Sequence, residues 1–273
     1  MAVDHPTGFS LDCLTLPDVR PADLVRAAAA AGYGSVSLWV QPPAMYEPML
    51  ATPEMADELT GVLAEAGVVV GNLEVFNLNT DDPIDAYEPA LAFGAGLGAR
   101  TATAIDFGEP RPDIAERLAA FAALCASVGI QPLVEPISMG NVRTPQEGLA
   151  LIDAAGVDAR LVLDCVHLVR TGCTADTLRQ LPASRIGYFQ MCDGPASLTE
   201  EEIGVEAMAD RLYPGEGVFP IAELLGAIPA EVTVGLEVPN LARQQAGVSA
   251  ADRAGEALRA ARAVVAQTGR ARS

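Results

Sequence analysis

The sequence of 273 residues contains no lysine, and all 17 of its basic residues are arginine. The absence of lysine excludes Schiff-base aldolases, enzymes with lysine-bound pyridoxal phosphate, and nucleotide-binding loops that need a Walker lysine. Histidine is nearly absent as well: only His5 and His167 occur, which excludes a zinc site with three histidine ligands. Catalytic chemistry must therefore rest mainly on carboxylates, amides and arginine.

The sequence also lacks a surplus of positive charge, since its formal net charge is −19 at pH 7. Such a surface would repel nucleic acids and anionic membranes, so neither is expected as a partner. A small molecule is the expected substrate. The sequence is silent on oligomeric state and leaves a homo-oligomer open.

Paired cysteines and long apolar runs are missing too. The five cysteines are odd in number and form no Cys-x-x-Cys pair. No apolar stretch reaches the about 18 residues that a membrane span needs, and the chain does not begin like a secretory signal. These absences predict a cytoplasmic protein with reduced thiols. The cysteines are Cys13, Cys125, Cys165, Cys173 and Cys192.

What is present is a regular alternation of short apolar runs with longer Ala- and Leu-rich amphipathic stretches. The apolar runs predict strands at 9–14, 35–40, 68–76, 101–106, 131–137, 161–164, 186–191 and 233–238. The amphipathic stretches predict helices at 21–31, 53–66, 84–93, 113–128, 145–155, 175–181 and 221–227, with a last helix at about 250–266.

Eight β-then-α units of roughly 30 residues indicate parallel strands joined by helical crossovers. A doubly wound open sheet would also satisfy the alternation, but the eighth unit and the length favour a single (β/α)8 barrel, a TIM barrel, over residues 1–273. A long segment at about 193–217 interrupts the pattern after the seventh strand. It is predicted to be an active-site loop, because that position lies on the C-terminal face of a barrel.

Each of the last four predicted strands ends in one oxygen-bearing side chain: Glu135, Asp164, Gln190 and Glu237. In a barrel these four strand ends point at the same axial space. Three carboxylates meeting there would repel one another unless a cation lay among them. Carboxylate and amide oxygens form a hard ligand set, which favours Mg²⁺ or Mn²⁺ over zinc, so the pattern predicts one divalent metal held by these four residues.

These four residues, with His167 three positions after Asp164, resemble the metal-site pattern of the xylose isomerase-like barrel superfamily, the sugar phosphate isomerase/epimerase family. The resemblance covers nearly the whole chain and includes the Pro-Gly-Glu-Gly217 loop that leads to the strand ending in Glu237. The members include ketose 3-epimerases, hydroxypyruvate isomerases, inosose isomerases and dehydratases, and 3-dehydroshikimate dehydratases. Ketose 3-epimerases usually have histidine where this chain has Gln190, and glutamine is more similar to the hydroxypyruvate isomerases and dehydroshikimate dehydratases.

The resemblance implies a metal-dependent isomerase or epimerase that acts on a small keto-sugar, cyclitol or keto-acid through a metal-stabilised enediolate. Glu135 and Glu237 would be the catalytic acid and base on opposite faces of the substrate, with His167 beside them. A lyase is the alternative, because the same enolate can lose a β-hydroxyl, as in 3-dehydroshikimate or inosose dehydration, or a β-linked group of a 3-keto glycoside. A non-catalytic binding barrel also stays open, whereas an apurinic endonuclease would need more histidine and a basic face.

Further residues are candidates for contacts with the substrate. Arg211 and Glu216 lie in the long loop, and Asp193 begins it, so they are expected near the pocket. Trp39, at the end of the second strand, could stack on a sugar ring or pack in the core. For Glu74, at the end of the third strand, a functional and a structural role are likewise equally open. Arg143, after the fifth strand, is a weaker candidate.

Overall fold

The computed structural model describes residues 8–268, and His5 lies outside them. Eight parallel strands close into a barrel in sequence order, with β1 paired to both β2 and β8. This confirms the predicted (β/α)8 fold. The strands are β1 (Phe9–Leu11), β2 (Ser35–Trp39), β3 (Val69–Asn77), β4 (Thr101–Ile105), β5 (Gln131–Val134), β6 (Arg160–Asp164), β7 (Ile186–Met191) and β8 (Thr233–Leu236).

Eleven α-helices surround this barrel in the described part of the chain. They are α1 (Pro21–Ala31), α2 (Ala56–Ala66), α3 (Glu88–Gly96), α4 (Ile114–Ser127), α5 (Pro145–Ala155), α6 (Cys165–Arg170), α7 (Ala175–Arg179), α8 (Glu200–Ala209), α9 (Ile221–Gly226), α10 (Leu241–Gln245) and α11 (Ala250–Gln267). The short helices α6 and α10 were not predicted. The predicted loop at 193–217 contains α8, which begins at a capping box of Thr199 and Glu202.

Local sequence explains where the helices begin and end. Thr144 and Glu147 form a reciprocal capping box at the start of α5, and Pro145 occupies its first turn, where no amide donor is needed. Gly156 ends the same helix with φ of 65°, a left-handed conformation that a residue with a Cβ atom adopts only at a cost. The helix therefore stops one short turn before β6, whose last residue is Asp164.

The inside of the barrel is unusually polar. Tyr188 on β7 donates a hydrogen bond to Asp12 after β1, and Gln190 on β7 donates one to Glu74 on β3. Strands β3 and β7 are far apart around the barrel, so these side chains meet only through its interior. Barrels of this class usually fill that space with branched apolar residues. Here the main apolar core lies between the sheet and the helices, and a small inner cluster consists of Leu133, Val162 and Tyr188.

Gly235 on β8 is expected to be essential for this polar interior. A Cβ atom on Gly235 would lie 2.6 Å from the Tyr188 hydroxyl oxygen and would collide with Asp12 Oδ2. Because Asp12 and Tyr188 are buried and bonded to each other at 2.7 Å, they have little room to move. Gly235→Ala is therefore expected to lower the free energy of unfolding by about 1–3 kcal/mol, as overpacking does.

Urea unfolding measures this loss, and Gly34→Ala is the matched control. Gly34 is exposed, and a Cβ atom there would meet no atom of the described structure within 4 Å. The control should change the stability little. Equal stability of the two variants would show that the Asp12–Tyr188 pair moves aside freely.

The five cysteines are all buried and unpaired. Burial is the largest cause of the raised thiol pKa of Cys125, which reaches about 12. Such thiols stay protonated at neutral pH and are poor nucleophiles. Among the described helices, none is long and apolar enough to cross a membrane.

Candidate functional site

The candidate site is a cavity of about 160 Å³ lined by residues that follow the C-terminal ends of the strands. Four ionisable side chains line it: Glu135, His167, Arg211 and Glu237. The remaining lining residues are apolar and include Trp39, whose indole N–H donates to the Gln41 carbonyl at 2.7 Å. Charged groups thus form the floor of the cavity, and apolar side chains form its walls.

Glu135 and His167 face each other at this floor. Glu135 directly follows β5 and accepts no hydrogen bond from the described residues, and its Oε1 lies 3.9 Å from His167 Nε2. His167 lies on α6, and its Nδ1 accepts the backbone N–H of Ser138 at 3.3 Å. Burial lowers the pKa of His167 to about 4, so the ring is neutral at pH 7. Because Nδ1 is an acceptor, the proton of the neutral ring is on Nε2, which points toward Glu135.

Arg211 joins Asp164 to Glu237. Its Nη1 lies 2.8 Å from Asp164 Oδ2 and 2.9 Å from Glu237 Oε2, so the last residue of β6 and the first residue after β8 converge on one nitrogen. Its Nε donates to the carbonyl of Ala207 on α8 at 3.0 Å. The guanidinium is 2% exposed, although Arg211 belongs to the long connection after β7. It therefore reaches the cavity, but as the ionic partner of two strand-end carboxylates.

Gln190 lies between Glu237 and Glu74. Its Nε2 donates to Glu237 Oε1 at 2.9 Å and to Glu74 Oε1 at 3.2 Å. Glu74 is held further by Ser37 and Asn72, at 2.9 Å and 3.0 Å. The Gln190 amide oxygen is buried and has no hydrogen-bond partner among the described residues.

Asp12 and Glu74 also belong to the candidate site. Asp12 was not predicted from the sequence, and for Glu74 a structural role was equally open. Asp12, Glu74 and Glu237 each offer an oxygen within 4.8 Å of the others, and all three are buried. Neither Glu74 nor Gln190 lines the cavity, and the two are hydrogen-bonded to each other. The available signal for Asp12 was its place directly after the apolar run of β1.

The site holds more carboxyl groups than Arg211 can pair with. Burial is the largest cause of the raised pKa of Asp12, Glu74, Glu135 and Glu237. Neighbouring carboxylates add to it: Asp164 raises the pKa of Glu135, and Glu74 raises that of Asp12, Glu135 and Glu237. Arg211 opposes the shift at Glu135 and Glu237. A divalent cation would favour the ionised form of these groups.

The donor set fits such a cation. Glu135 and Asp164 offer oxygens within 4.8 Å of each other, and Asp164 and Glu237 converge on the same Arg211 nitrogen. Gln190 adds a buried amide oxygen without a partner. These are buried hard oxygen donors, of the kind that Mg²⁺ and Mn²⁺ prefer. His167 also belongs to the Glu135–Asp164 group, but its Nδ1 accepts from Ser138 and the proton on its Nε2 makes that nitrogen a hydrogen-bond donor.

The structure separates three other sequence candidates from the cavity. Asp193 is buried and accepts the backbone N–H groups of Gly194, Gly215 and Phe219, so it organises the loop. Glu216 is partly exposed and pairs with Arg243. The position of Asp193 and Glu216 in the loop suggested contact with the substrate. Instead, both side chains bind other residues of the protein. Arg143 is exposed and lines a different surface cavity.

A second, larger cavity of about 620 Å³ adjoins the site. It shares Trp39, Val75 and Ile105 with the first cavity, so the two are neighbours across these side chains. Its other walls are mostly polar and include Asn77 and Glu109. The indole of Trp39 is therefore placed to report on ligands in either cavity.

Residues 25–264 match the family described as the xylose isomerase-like TIM barrel. The chain belongs to this family. The match spans most of the chain and confirms the family that the sequence resembles. Comparison with curated proteins by sequence finds no match.

Solved structures with few identical residues share the fold of this family member. The IolI protein with a bound zinc atom has a TM-score of 0.76 and 16% identity, over 96% of this chain and 99% of that one. D-allulose 3-epimerase from Methylomonas sp. has a TM-score of 0.70 and 17% identity, over 97% of this chain and 100% of that one. The probable 3-DHS dehydratase AsbF from Bacillus anthracis has a TM-score of 0.72 and 16% identity, over 93% of this chain and 98% of that one.

A fusion of a xylose isomerase-like TIM barrel with 4-hydroxyphenylpyruvate dioxygenase has a TM-score of 0.80 and 20% identity. The match covers 96% of this chain and 43% of the fusion, so this chain spans less than half of that protein. At these identities, the similarity to solved structures establishes the fold alone.

Proposed function

We propose that this protein is a divalent-metal-dependent isomerase or epimerase of a small keto-sugar, cyclitol or keto-acid. The observation that carries the proposal is that Glu135 and Glu237, both buried, line one cavity together with a neutral histidine and an arginine. Removal of a proton next to a ketone needs a base whose pKa is near the working pH. Burial raises the pKa of the Glu135 and Glu237 carboxyl groups above its usual range, which is the direction that such a base requires.

In the proposed reaction, Glu135 accepts the α-proton, because its carboxylate is the one at the floor that accepts no hydrogen bond from described residues. Glu237 delivers a proton to the other face or the neighbouring carbon. The Nε2–H of His167 donates to a substrate oxygen beside Glu135. Arg211 holds the Glu237 carboxylate in place through its 2.9 Å contact.

Glu135, Asp164, Gln190 and Glu237 would hold the metal, which we propose is Mn²⁺ or Mg²⁺. When bound, the cation would polarise the ketone and an adjacent hydroxyl and stabilise the charge that develops as the α-proton leaves. Glu74 supports this arrangement, since its hydrogen bond to Nε2 of Gln190 keeps the amide oxygen available as a ligand.

A lyase of the same fold is the second candidate, and Gln190 is the observation that favours it. Ketose 3-epimerases usually have histidine at the position that glutamine occupies in this chain. Dehydration of a 3-dehydroshikimate- or inosose-like substrate, or β-elimination from a 3-keto glycoside, would begin with the same proton removal by Glu135. The reactions separate only afterwards, when Glu237 protonates either carbon or a leaving oxygen.

A screen of keto-sugars, cyclitols and keto-acids with added Mn²⁺, Mg²⁺ or Zn²⁺ tests the proposal. Product masses distinguish the two reactions, because isomers keep the substrate mass and dehydration loses water. In deuterated water an isomerase or epimerase should also introduce one deuterium at the reacting carbon. If the purified protein holds no divalent metal and exchanges no α-proton of any substrate, it is a binding barrel instead.

The stability of the metal-free protein is expected to fall as the pH rises above about 4. Burial raises the pKa of Asp12, Glu74, Glu135 and Glu237 in the folded protein, so it retains protons that the unfolded chain has already released. Their stabilising contribution is complete below the unfolded pKa of about 4 and disappears as the pH passes the folded values. His167, with its pKa lowered to about 4, acts in the opposite direction only below about pH 6.5.

Thermal unfolding over this pH range, with and without Mn²⁺, measures the effect. The metal should raise Tm, and the increase should grow with pH, because the cation binds the ionised carboxylates. Sodium chloride at matched ionic strength is the control. An equal rise of Tm with sodium chloride would mean that the carboxylates respond to general screening and form no metal site.

The net charge of −19 supports a small-molecule substrate over a nucleic acid. The five unpaired cysteines support action in a reducing compartment such as the cytoplasm.

A further inference from the structure

Four large apolar side chains stand exposed around the mouth of the catalytic cavity. Met45, Phe107, Met139 and Met208, which we name the apolar collar, are 43%, 48%, 38% and 41% exposed. They are half of the large apolar side chains that are exposed in the described chain, and all four line the cavity that contains Glu135. Single exposed apolar residues are common on proteins, but a group of them around one opening marks a binding surface.

The collar is built by four separate connections on the C-terminal face. Met45 lies between β2 and α2, Phe107 between β4 and α4, Met139 between β5 and α5, and Met208 on α8. The Phe107 backbone is clamped by one side chain: Asn77 Oδ1 accepts its N–H at 3.1 Å, and Asn77 Nδ2 donates to its carbonyl at 2.8 Å. An exposed ring on a clamped backbone loses little entropy when a ligand packs against it.

The polarity of the cavity changes from its floor to its mouth. Apart from the Trp39 indole N–H, which donates to Gln41, the polar side-chain groups of the lining belong to the four ionisable residues at the floor, and the other lining residues are apolar. A free sugar carries hydroxyl groups on every side, and those facing the collar would lose water without gaining hydrogen bonds. A ligand that matches the cavity has a polar end for the floor and an apolar end for the collar.

We propose that the natural substrate is amphipathic: a keto-polyol or keto-acid head that carries a covalently attached aromatic or similarly apolar group. The head lies on Glu135, His167 and Glu237, and the apolar group packs against Phe107 and the three methionines. Methionine side chains suit this role because they adapt their shape and contact aromatic rings favourably. The proposal rests on the proposed function for the chemistry of the head and adds the class of compound to which the head belongs.

The continuity of the collar with the catalytic floor favours a small molecule over a protein partner. The same cavity joins both, so an occupant of the collar also reaches Glu135 and Glu237. A second copy of the chain seated on the collar would instead close the entrance to the floor.

Equilibrium binding of two unreactive probes tests the proposal separately from any activity. Methyl β-D-glucopyranoside and phenyl β-D-glucopyranoside share a polar head and differ only in the apolar group, and neither contains a ketone. Trp39 is the only tryptophan of the chain and lines the cavity, so its fluorescence reports binding of each probe. With Mn²⁺ present, the phenyl glycoside should bind at least about tenfold more tightly than the methyl glycoside, as burial of a ring predicts.

Phe107→Ala and Met208→Ala should each reduce the ratio of the two affinities, and the double variant should bring it close to one. Val218→Ala is the matched control, because Val218 is 63% exposed and does not line the cavity. It should leave the ratio unchanged. Sedimentation of all variants at several concentrations reports self-association in the same samples.

Equal affinities for the two probes, or no saturable fluorescence change with either, would overturn the proposal even if the protein isomerises small keto-sugars. Self-association that is lost in the Phe107→Ala variant would also overturn it, since the collar would then be an interface between copies. If the metal and activity tests fail but the protein still binds the phenyl glycoside more tightly, the proposed function is rejected. The proposal that the collar binds an apolar group then still stands.

Discussion

Glu135→Gln is expected to lower kcat by about 10²–10⁴-fold and to leave the protein at least as stable as the wild type. Glutamine is nearly isosteric and still offers an oxygen to a metal, but it cannot accept the α-proton. No hydrogen bond from the described residues is lost, because Glu135 accepts none. The substitution also removes the repulsion between the carboxylates of Glu135 and Asp164, which raises the pKa of Glu135 in the wild type. Steady-state kinetics, metal content and urea unfolding measure these three outcomes.

Glu237→Gln is the variant to compare with Glu135→Gln. It should also lose most turnover, but it should be less stable, because Arg211 loses one of its two carboxylate partners. If the two glutamates act on opposite faces, each variant should still exchange the α-proton of one epimer in deuterated water and no longer interconvert the epimers.

Glu65→Gln, an exposed change of the same kind, is the control and should alter neither turnover nor stability. Near-normal kcat in Glu237→Gln would show that Glu237 is only a ligand. The base would then be Glu135 or His167.

Arg211→Ala is expected to destabilise the protein by about 3–5 kcal/mol, as the loss of one partner from a buried ion pair does. Its guanidinium lies within 2.9 Å of Asp164 and Glu237 and is 2% exposed, so both carboxylates would be left in a buried site without it. From its loop position alone, a raised KM with unchanged metal content would be expected. The contacts add a large loss of stability and a change in metal affinity, because both partners are proposed ligands.

Thermal and urea unfolding measure this loss, and Arg26→Ala is the control. Arg26 pairs with Asp23 on the surface, where such a pair contributes at most about 1 kcal/mol. Added Mn²⁺ should restore part of the stability of Arg211→Ala, since a cation can replace the missing positive charge. If the variant unfolds like the wild type and only KM rises, Arg211 contacts the substrate without supporting the carboxylates.

The barrel and the convergence of the strand-end residues could be predicted because both depend on periodic features of the chain. Each βα unit repeats the same alternation, and parallel strands place their C-terminal ends at one mouth. One oxygen-bearing residue at the end of an apolar run is therefore enough to locate Glu135, Asp164, Gln190 and Glu237 at a common site. The bounds of β1 and β5 were predicted too long, because apolar residues continue past the last strand hydrogen bond into the loops.

The loop residues could not be ranked in the same way. Asp193, Arg211 and Glu216 all belong to one connection, yet Asp193 binds the loop backbone, Glu216 pairs with a surface arginine, and Arg211 enters the site. Their directions depend on how α8 packs across the barrel mouth, and no periodicity in the sequence encodes that packing.

The sequence by itself determined the fold class, the strand-end carboxylates and the absence of lysine chemistry, because these follow from local pattern and composition. Only the tertiary structure decided that Arg211 binds two of the carboxylates, that Asp12 and Glu74 lie close to Glu237, and that four apolar side chains surround the entrance. These contacts join residues that are far apart in the chain. They exist only after the barrel has closed and has brought β1, β3 and β7 around one interior.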